Sequence, residues 1–194
     1  MAATLTPDRG SCKAVNQKRF PGGARTCVPE APHLFQHDSF DPELGAGLGR
    51  MIASVTTAVM GRRGFEDWSA HWPAASADDP FAAFVNPLEK HVATTTLTGD
   101  LGWNATRIEG DVLAAVARLK ETEGGEIAVL SSISLTRALL FAGLLDELTL
   151  MIHPVVAGAG RRLFEPGDPM TRLELRRSET TSRGNALLTY ARRG

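Results

Sequence analysis

The chain has 194 residues, a formal net charge of −1, 43% hydrophobic and 22% charged residues. That is ordinary globular composition, long enough for one domain with a substantial core. The near-neutral charge leaves no footprint for nucleic acid or an anionic membrane, and no apolar run approaches the roughly 20 residues of a membrane span.

The first 38 residues read as an irregular segment of a single domain covering 1–194. "ATLT" has the composition of a short strand, and Pro7 to Gln36, with four prolines and no sustained period, reads as a long loop. The N-terminus lacks a basic stretch followed by an apolar core, so no secretory signal is expected. Cys12 and Cys27 are too few for a disulfide framework and have no CxxC partner, so neither disulfides nor zinc are expected and the cytoplasm is the default location.

Order begins at "SFDPELGAGLGRMIASV", where Asp41 is placed to cap a helix with Pro42 at its first position. Leu44, Leu48, Met51, Ile52 and Val55 then repeat at helical spacing. "TTAVM" (56–60) is a β-branched strand running into Gly61-Arg62-Arg63-Gly64 and a short helix, "FEDWSAHW". Asp79-Pro80 caps "FAAFV", and "KHVATT" (90–95) and "WNATRIEGD" supply two further strands. Asp111 caps "VLAAVARLKE", with Val112, Val116 and Leu119 as its apolar stripe. A strand at 126–130, a helix near 134–143 and a long strand from about 146 follow. "RLELRRSETT" and "NALLTYARR" flank Ser182-Arg183-Gly184 as a hairpin. Strand–helix alternation followed by a hairpin predicts an α/β fold. Its sheet is mixed and mostly parallel, with helices on both faces and an antiparallel pair at one edge.

In such sheets ligands bind beyond the carboxyl ends of the strands, which selects the turns at 61–64, 94–98 and 131–134. Arg62 and Arg63 open a helix whose dipole favours anions there, so they either hold a phosphate or face solvent and pair with Glu66. Thr94 and Thr95 either bind phosphate and ribose oxygens or are simply strand residues. In "EIAVLSSISLTRALL" the run Ser131-Ser132-Ile133-Ser134 stands between a strand and a helix, where an anion cradle and an ordinary N-cap look alike. There is no GxSxG elbow, no HExxH among the five histidines, and His153 before Pro154 reads as structural. Asp8 and Asp38 are isolated acids, each either a proton donor or a solvated side chain.

Together these stretches resemble one family, the dihydrofolate reductase-like proteins grouped with the reductase domain of bacterial bifunctional riboflavin-biosynthesis deaminase-reductases. "LLDELTLMIHPVVAGAGRRLFE" is similar to that family's most specific signature. "FDPELGAGLGRMIASVTTAVMGRRGFEDWSAHWP", "KHVATTTLT", "LGWNATRIEGDVLAAVARLKETEGGEIAVLSS" and "TTSRGNALLTY" resemble its other conserved stretches. The resemblance runs from about residue 38 to 191. It implies a dihydrofolate reductase-like three-layer sandwich, NADPH as hydride donor, a small-molecule substrate and a homodimer. It implies that Gly61, Arg62 and Arg63 hold cofactor phosphates, that Thr94 and Thr95 lie near the adenosine 2′-phosphate, and that Ser131, Ser132, Ile133 and Ser134 underlie the pyrophosphate. Asp8 corresponds to the aspartate of the family's opening loop and is the catalytic candidate.

Several positions depart from the family pattern. Gly64 stands where the family has Thr, Thr95 where it has Arg, and Ser131-Ser132-Ile133 where it has Gly-x-Gly, placing side chains at Ser131 and Ile133 where the family keeps bare backbone. Two functions are compatible with this pattern. One is an NADPH-dependent reductase of a small heterocyclic substrate, related to the 5-amino-6-(5-phosphoribosylamino)uracil reductase of riboflavin biosynthesis. The other is a catalytically impaired relative that binds a nucleotide or another ligand weakly as a dimer.

Overall fold

A computed structural model describes residues 2–6, 11–15, 27–28, 40–156 and 160–193. Asp8, Asp38, His33 and His37 lie outside these described residues. One nine-stranded sheet runs through the molecule in the order β10-β11-β8-β2-β1-β7-β4-β5-β6. These strands are β1 (Ala2–Thr6), β2 (Ser11–Val15), β4 (Val55–Gly61), β5 (Glu89–Ala93), β6 (Ala105–Arg107), β7 (Glu126–Leu130), β8 (Glu147–Ile152), β10 (Leu173–Thr180) and β11 (Ala186–Arg192). A separate two-stranded ribbon pairs β3 (Cys27–Val28) with β9 (Arg161–Arg162).

The strands β7-β4-β5-β6 form a parallel block. Its central strands are buried on both faces, as their near-continuous apolar sequences require. The pleat divides their side chains between two cores. Val59, Ile127 and Val129 face α4 (Val112–Lys120) and α5 (Ile133–Phe141), contributing to a core with Val116, Leu139 and Leu148. Ala58, Met60, Ala128 and Leu130 face the other way, toward α1 (Pro42–Ile52), α2 (Arg62–Ser69) and α3 (Pro80–Val85), with Leu48, Phe65, Trp68 and Val85. Helices therefore cover both faces, the three-layer arrangement expected. Local chemistry fixes the helix starts. Asp41 accepts from the Leu44 N–H at 2.7 Å, Asp79 from Phe81 and Ala82, and Asp111 from Ala114.

The other half of the sheet is largely antiparallel. β8 pairs with β11 and β11 with β10, with an irregularity between Leu175 and Arg177. β1 runs antiparallel to both β7 and β8, so those two strands point the same way. The carboxyl ends of β4, β5, β7 and β8 consequently share one edge of the sheet.

Two boundaries differ from the sequence reading. Pro7 to Gln36 is not one continuous loop, because β2 pairs with β1 and, in parallel, with β8 through Lys13–Glu147 and Ala14–Leu148. That partner lies near the far end of the chain, so no local pattern announces it. The second difference is at α2, where Gly64, read as the end of a turn, lies inside a helix that begins at Arg62 directly from β4. The arginines are thus inside the first helical turn.

At the opposite edge, where β5 begins, the polar groups are tightly enclosed. Lys90 is fully buried and donates to the carbonyls of Leu88 (2.7 Å) and Asn86 (3.1 Å), with its ammonium 4.3 Å from the centre of the Trp103 ring. Burial pulls its pKa down to about 8. Asn86 accepts from Trp103 Nε1 at 2.8 Å and donates to the Trp72 carbonyl at 3.0 Å. Trp103 and Asn104 take left-handed backbone angles (φ 50° and 52°), and Asn104 donates to Leu88 at 3.0 Å.

Candidate functional site

At the carboxyl edge of the parallel block the amino ends of α2, α4 and α5 converge on a cleft of about 640 Å³, a size suited to a small ligand or part of a dinucleotide. Its wall is built from 61–64, Ala93, 110–113, 131–135, Ala138 and Arg161. Gly61, Arg62 and Arg63 thus meet Ser131, Ser132, Ile133 and Ser134 in one place. Thr94 and Thr95 do not line it, although Ala93, the residue before them, does. The Thr94 hydroxyl instead accepts from the N–H groups of Thr96 (3.2 Å) and Leu97 (3.1 Å), closing its own turn.

The three helices start differently. α4 is capped by Asp111 and α5 by Ser132, whose Oγ accepts from Leu135 N–H at 3.3 Å. α2 has no side-chain cap, because Gly61 offers none, and no acidic residue in its first turn. Its first N–H groups are left without intrahelical acceptors, as at any helix start. Arg62 is committed to Glu66 through contacts of 2.9 and 2.7 Å, one of the two outcomes the sequence left open. Arg63 is exposed and, among the described residues, has no hydrogen-bond or ion-pair partner; the same holds for Arg161. The cleft thus combines an uncapped helix with two uncommitted guanidinium groups. The Asp111 carboxylate is the opposing charge in the wall, partly occupied by its cap.

Two departures from the family pattern prove to be one exchange. A Cβ on Gly64 would collide with the Ser131 carbonyl oxygen and lie 2.7 Å from both Ser131 Cβ and Oγ. The Ser131 side chain therefore occupies the space that a residue at 64 would need. Ser131 itself has φ 55°, a strained conformation for a residue with a Cβ. Gly61 is equally close, since a Cβ there would lie 2.6 Å from Ser132 Oγ. The β4–α2 and β7–α5 turns interlock through two glycines facing two serines. Ile133, expected to stand in the cradle, turns its side chain inward. It is 6% exposed and packs against Leu163, so it lines the cleft with little free surface.

Sequence reasoning missed two contributors. Asp111 was recognisable as a cap, but the excursion from β6 to α4 hid its place at the ligand edge. Arg161 reaches the cleft from beyond β8, where the packing of Leu163 on Ile133 helps to hold its segment.

Further along the same edge, Asn185, with no exposed surface, donates to Asp41 Oδ2 and Thr181 Oγ1, both at 3.1 Å. Burial pushes the Asp41 carboxyl up. Hydrogen bonds from Thr181, Leu44, Arg183 and Asn185 outweigh it and hold the carboxyl below its ordinary value. Burial lowers His153, although a hydrogen bond to Asn185 and the nearby Asp41 charge oppose that shift. This network clasps the β10–β11 hairpin to the start of α1, the structural role expected of His153. Among the described residues no cluster of His, Cys, Asp and Glu could hold a metal, and no helix is long and apolar enough to cross a membrane.

Comparison with known proteins agrees with this architecture. Residues 36–187 match the family described as the RibD C-terminal domain. The protein YyaP of Bacillus subtilis (strain 168), described as uncharacterized, is 28% identical over 153 residues, 77% of this chain and 80% of YyaP. The crystal structure of a putative riboflavin biosynthesis protein from Shewanella sp. PV-4 superposes with a TM-score of 0.70 at 16% identity, covering 90% of this chain and 97% of that one. A pyrimidine reductase-like protein from Corynebacterium diphtheriae gives 0.59 at 14% identity, with 89% of each chain covered. A deaminase/5-amino-6-(5-phosphoribosylamino)uracil reductase from Thermotoga maritima gives 0.61 at 9% identity. There 93% of this chain matches just over half, 57%, of the larger protein. The chain belongs to the RibD C-terminal domain family and has its dihydrofolate reductase-like fold.

Proposed function

We propose that the protein is an NADPH-dependent reductase of a small heterocyclic substrate, related to the pyrimidine reductases of riboflavin biosynthesis. The observation that carries this reading is the cleft itself, where uncapped α2, Arg63 and Arg161 face a common space at the ligand edge of the sheet. Its donors suit a dinucleotide's phosphates, whereas among the described residues no nucleophile–base pair is assembled there for hydrolysis.

NADPH, when bound, supplies the hydride. The residues of this chain bind and orient it: the α2 amino end with Arg63 on one segment of the wall, the Ser131–Ser134 turn on another. Ser131 Oγ, in the space a side chain at 64 would fill, supplies a hydroxyl to the same turn. Thr95 brings no charge to a 2′-phosphate, which predicts weaker discrimination between NADPH and NADH than an arginine there would give. Reduction also consumes a proton, and Asp8 is the proposed donor. A homodimer is part of the same proposal and is read from light scattering in solution.

A second reading, a nucleotide-binding relative without catalysis, is favoured by the strained Ser131 and the uncharged Thr95. Titration calorimetry with NADPH, followed by NADPH oxidation assays with pterin, pyrimidine and quinone acceptors, separates the two. Binding with saturable oxidation supports the reductase. Absence of binding at millimolar NADPH overturns the reductase and leaves the second reading only with another ligand.

A further inference from the structure

We infer that Arg161 is the residue that grips the cofactor's pyrophosphate, presented to the cleft by a strap formed from residues 161–168. The inference rests on the dinucleotide reading above and deepens it. The strap lies along α5 through three contacts. Leu163, 1% exposed, packs on Ile133 at the start of that helix. The Phe164 ring lies 6.4 Å from that of Phe141 at its end. Between them Asp168 pairs with Arg137, while its other carboxylate oxygen accepts from the Glu165 N–H at 2.7 Å, closing the strap on itself. The backbone of Arg161 is held separately, by pairing with Val28.

A segment anchored this heavily fixes the direction of its first residue. Arg161 enters the cleft wall beside the first turns of α5, together with Ser134 and Ala138. Arg161 is exposed and has no hydrogen-bond or ion-pair partner among the described residues. Arg62, by contrast, is held by Glu66. A planar fork beside the amino end of a helix matches two adjacent phosphate groups better than a point charge does. Arg161 lines the cleft beside the 131–135 turn, whereas Thr94 and Thr95, assigned to the 2′-phosphate, do not line it. The group it grips is therefore the one NADPH and NADH share.

The test is calorimetric titration of the full chain with NADPH and, separately, NADH, using wild type, Arg161→Gln, Arg161→Lys and a control, Arg118→Gln, in the last turn of α4. Arg161→Gln is expected to weaken both cofactors by the same factor, about 10- to 100-fold, with Arg161→Lys between it and wild type. The control should bind as wild type, and the apo melting temperature of Arg161→Gln should be unchanged. Wild-type affinity in Arg161→Gln overturns the inference while leaving the cofactor reading intact. Weakening of NADPH alone moves Arg161 to the 2′-phosphate and overturns the pyrophosphate assignment. Failure of wild type to bind either cofactor removes the cofactor reading and this inference together.

Discussion

The two ends of the parallel block are built from similar residue types and do opposite things. At the amino end of β5, Lys90, Asn86, Trp103 and Asn104 are bound to one another or to carbonyls. At the carboxyl end, Arg63 and Arg161 have no partner among the described residues and α2 has no side-chain cap. A charge that is boxed in by its own fold holds the fold. Only a charge left free at a concave edge is available to a ligand. The difference lies in commitment rather than in composition.

The largest expected effect tests the interlocked turns of the open end. Gly64→Thr drives a side chain against the Ser131 backbone oxygen, which cannot rotate away, and should cost about 3 kcal/mol in urea unfolding. Adding Ser131→Gly removes the Ser131 Cβ and Oγ but leaves that oxygen in place, so it should recover only part of the loss. Simple additivity of the two changes would show that the turns are not coupled. Next is the closed end, where Asn86→Ala strands Trp103 Nε1 and the Trp72 carbonyl. About 2 kcal/mol should be lost by the same measurement, with no change in cofactor affinity.

Lys90 provides a pH signature. Its folded pKa, about 8, lies below the ordinary lysine value of 10.5, so between these values the unfolded chain binds more protons. Stability should rise with pH across that window, by at most about 1.4 kcal/mol per pH unit. Lys90→Met should remove this component, and parallel stability–pH curves for the two proteins would refute it. Ser131→Gly alone relieves a strained backbone and should stabilise by about 1 kcal/mol, while forfeiting a hydroxyl in the cleft. The smallest effect is at Arg62. Its pair with Glu66 is substantially exposed, so Glu66→Gln should change stability by no more than about 0.5 kcal/mol. By freeing Arg62, the same change should strengthen NADPH binding in calorimetry.

Local signals found most elements. Asp41, Asp79 and Asp111 cap helices as their spacing predicts, because a cap reaches only three residues ahead. The strand at 126–130 and the hairpin around Ser182-Arg183-Gly184 are likewise where pattern and turn chemistry place them. Gly64 reads as part of a turn in the sequence. It is in fact a helical residue kept small by Ser131.

By itself, then, the sequence determined the alternation of strands and helices, the caps, and the two turns, 61–64 and 131–134, that form most of the cleft. These depend on periodicity and on contacts a few residues apart. Tertiary structure alone decided which side chains in those turns remain available. It turned Ile133 into the core, tied Arg62 to Glu66, closed Thr94 on its own turn and brought Arg161 in from beyond β8. Availability is set by whichever neighbours the fold delivers, and for Ser131 and Arg161 the decisive neighbours lie far away along the chain.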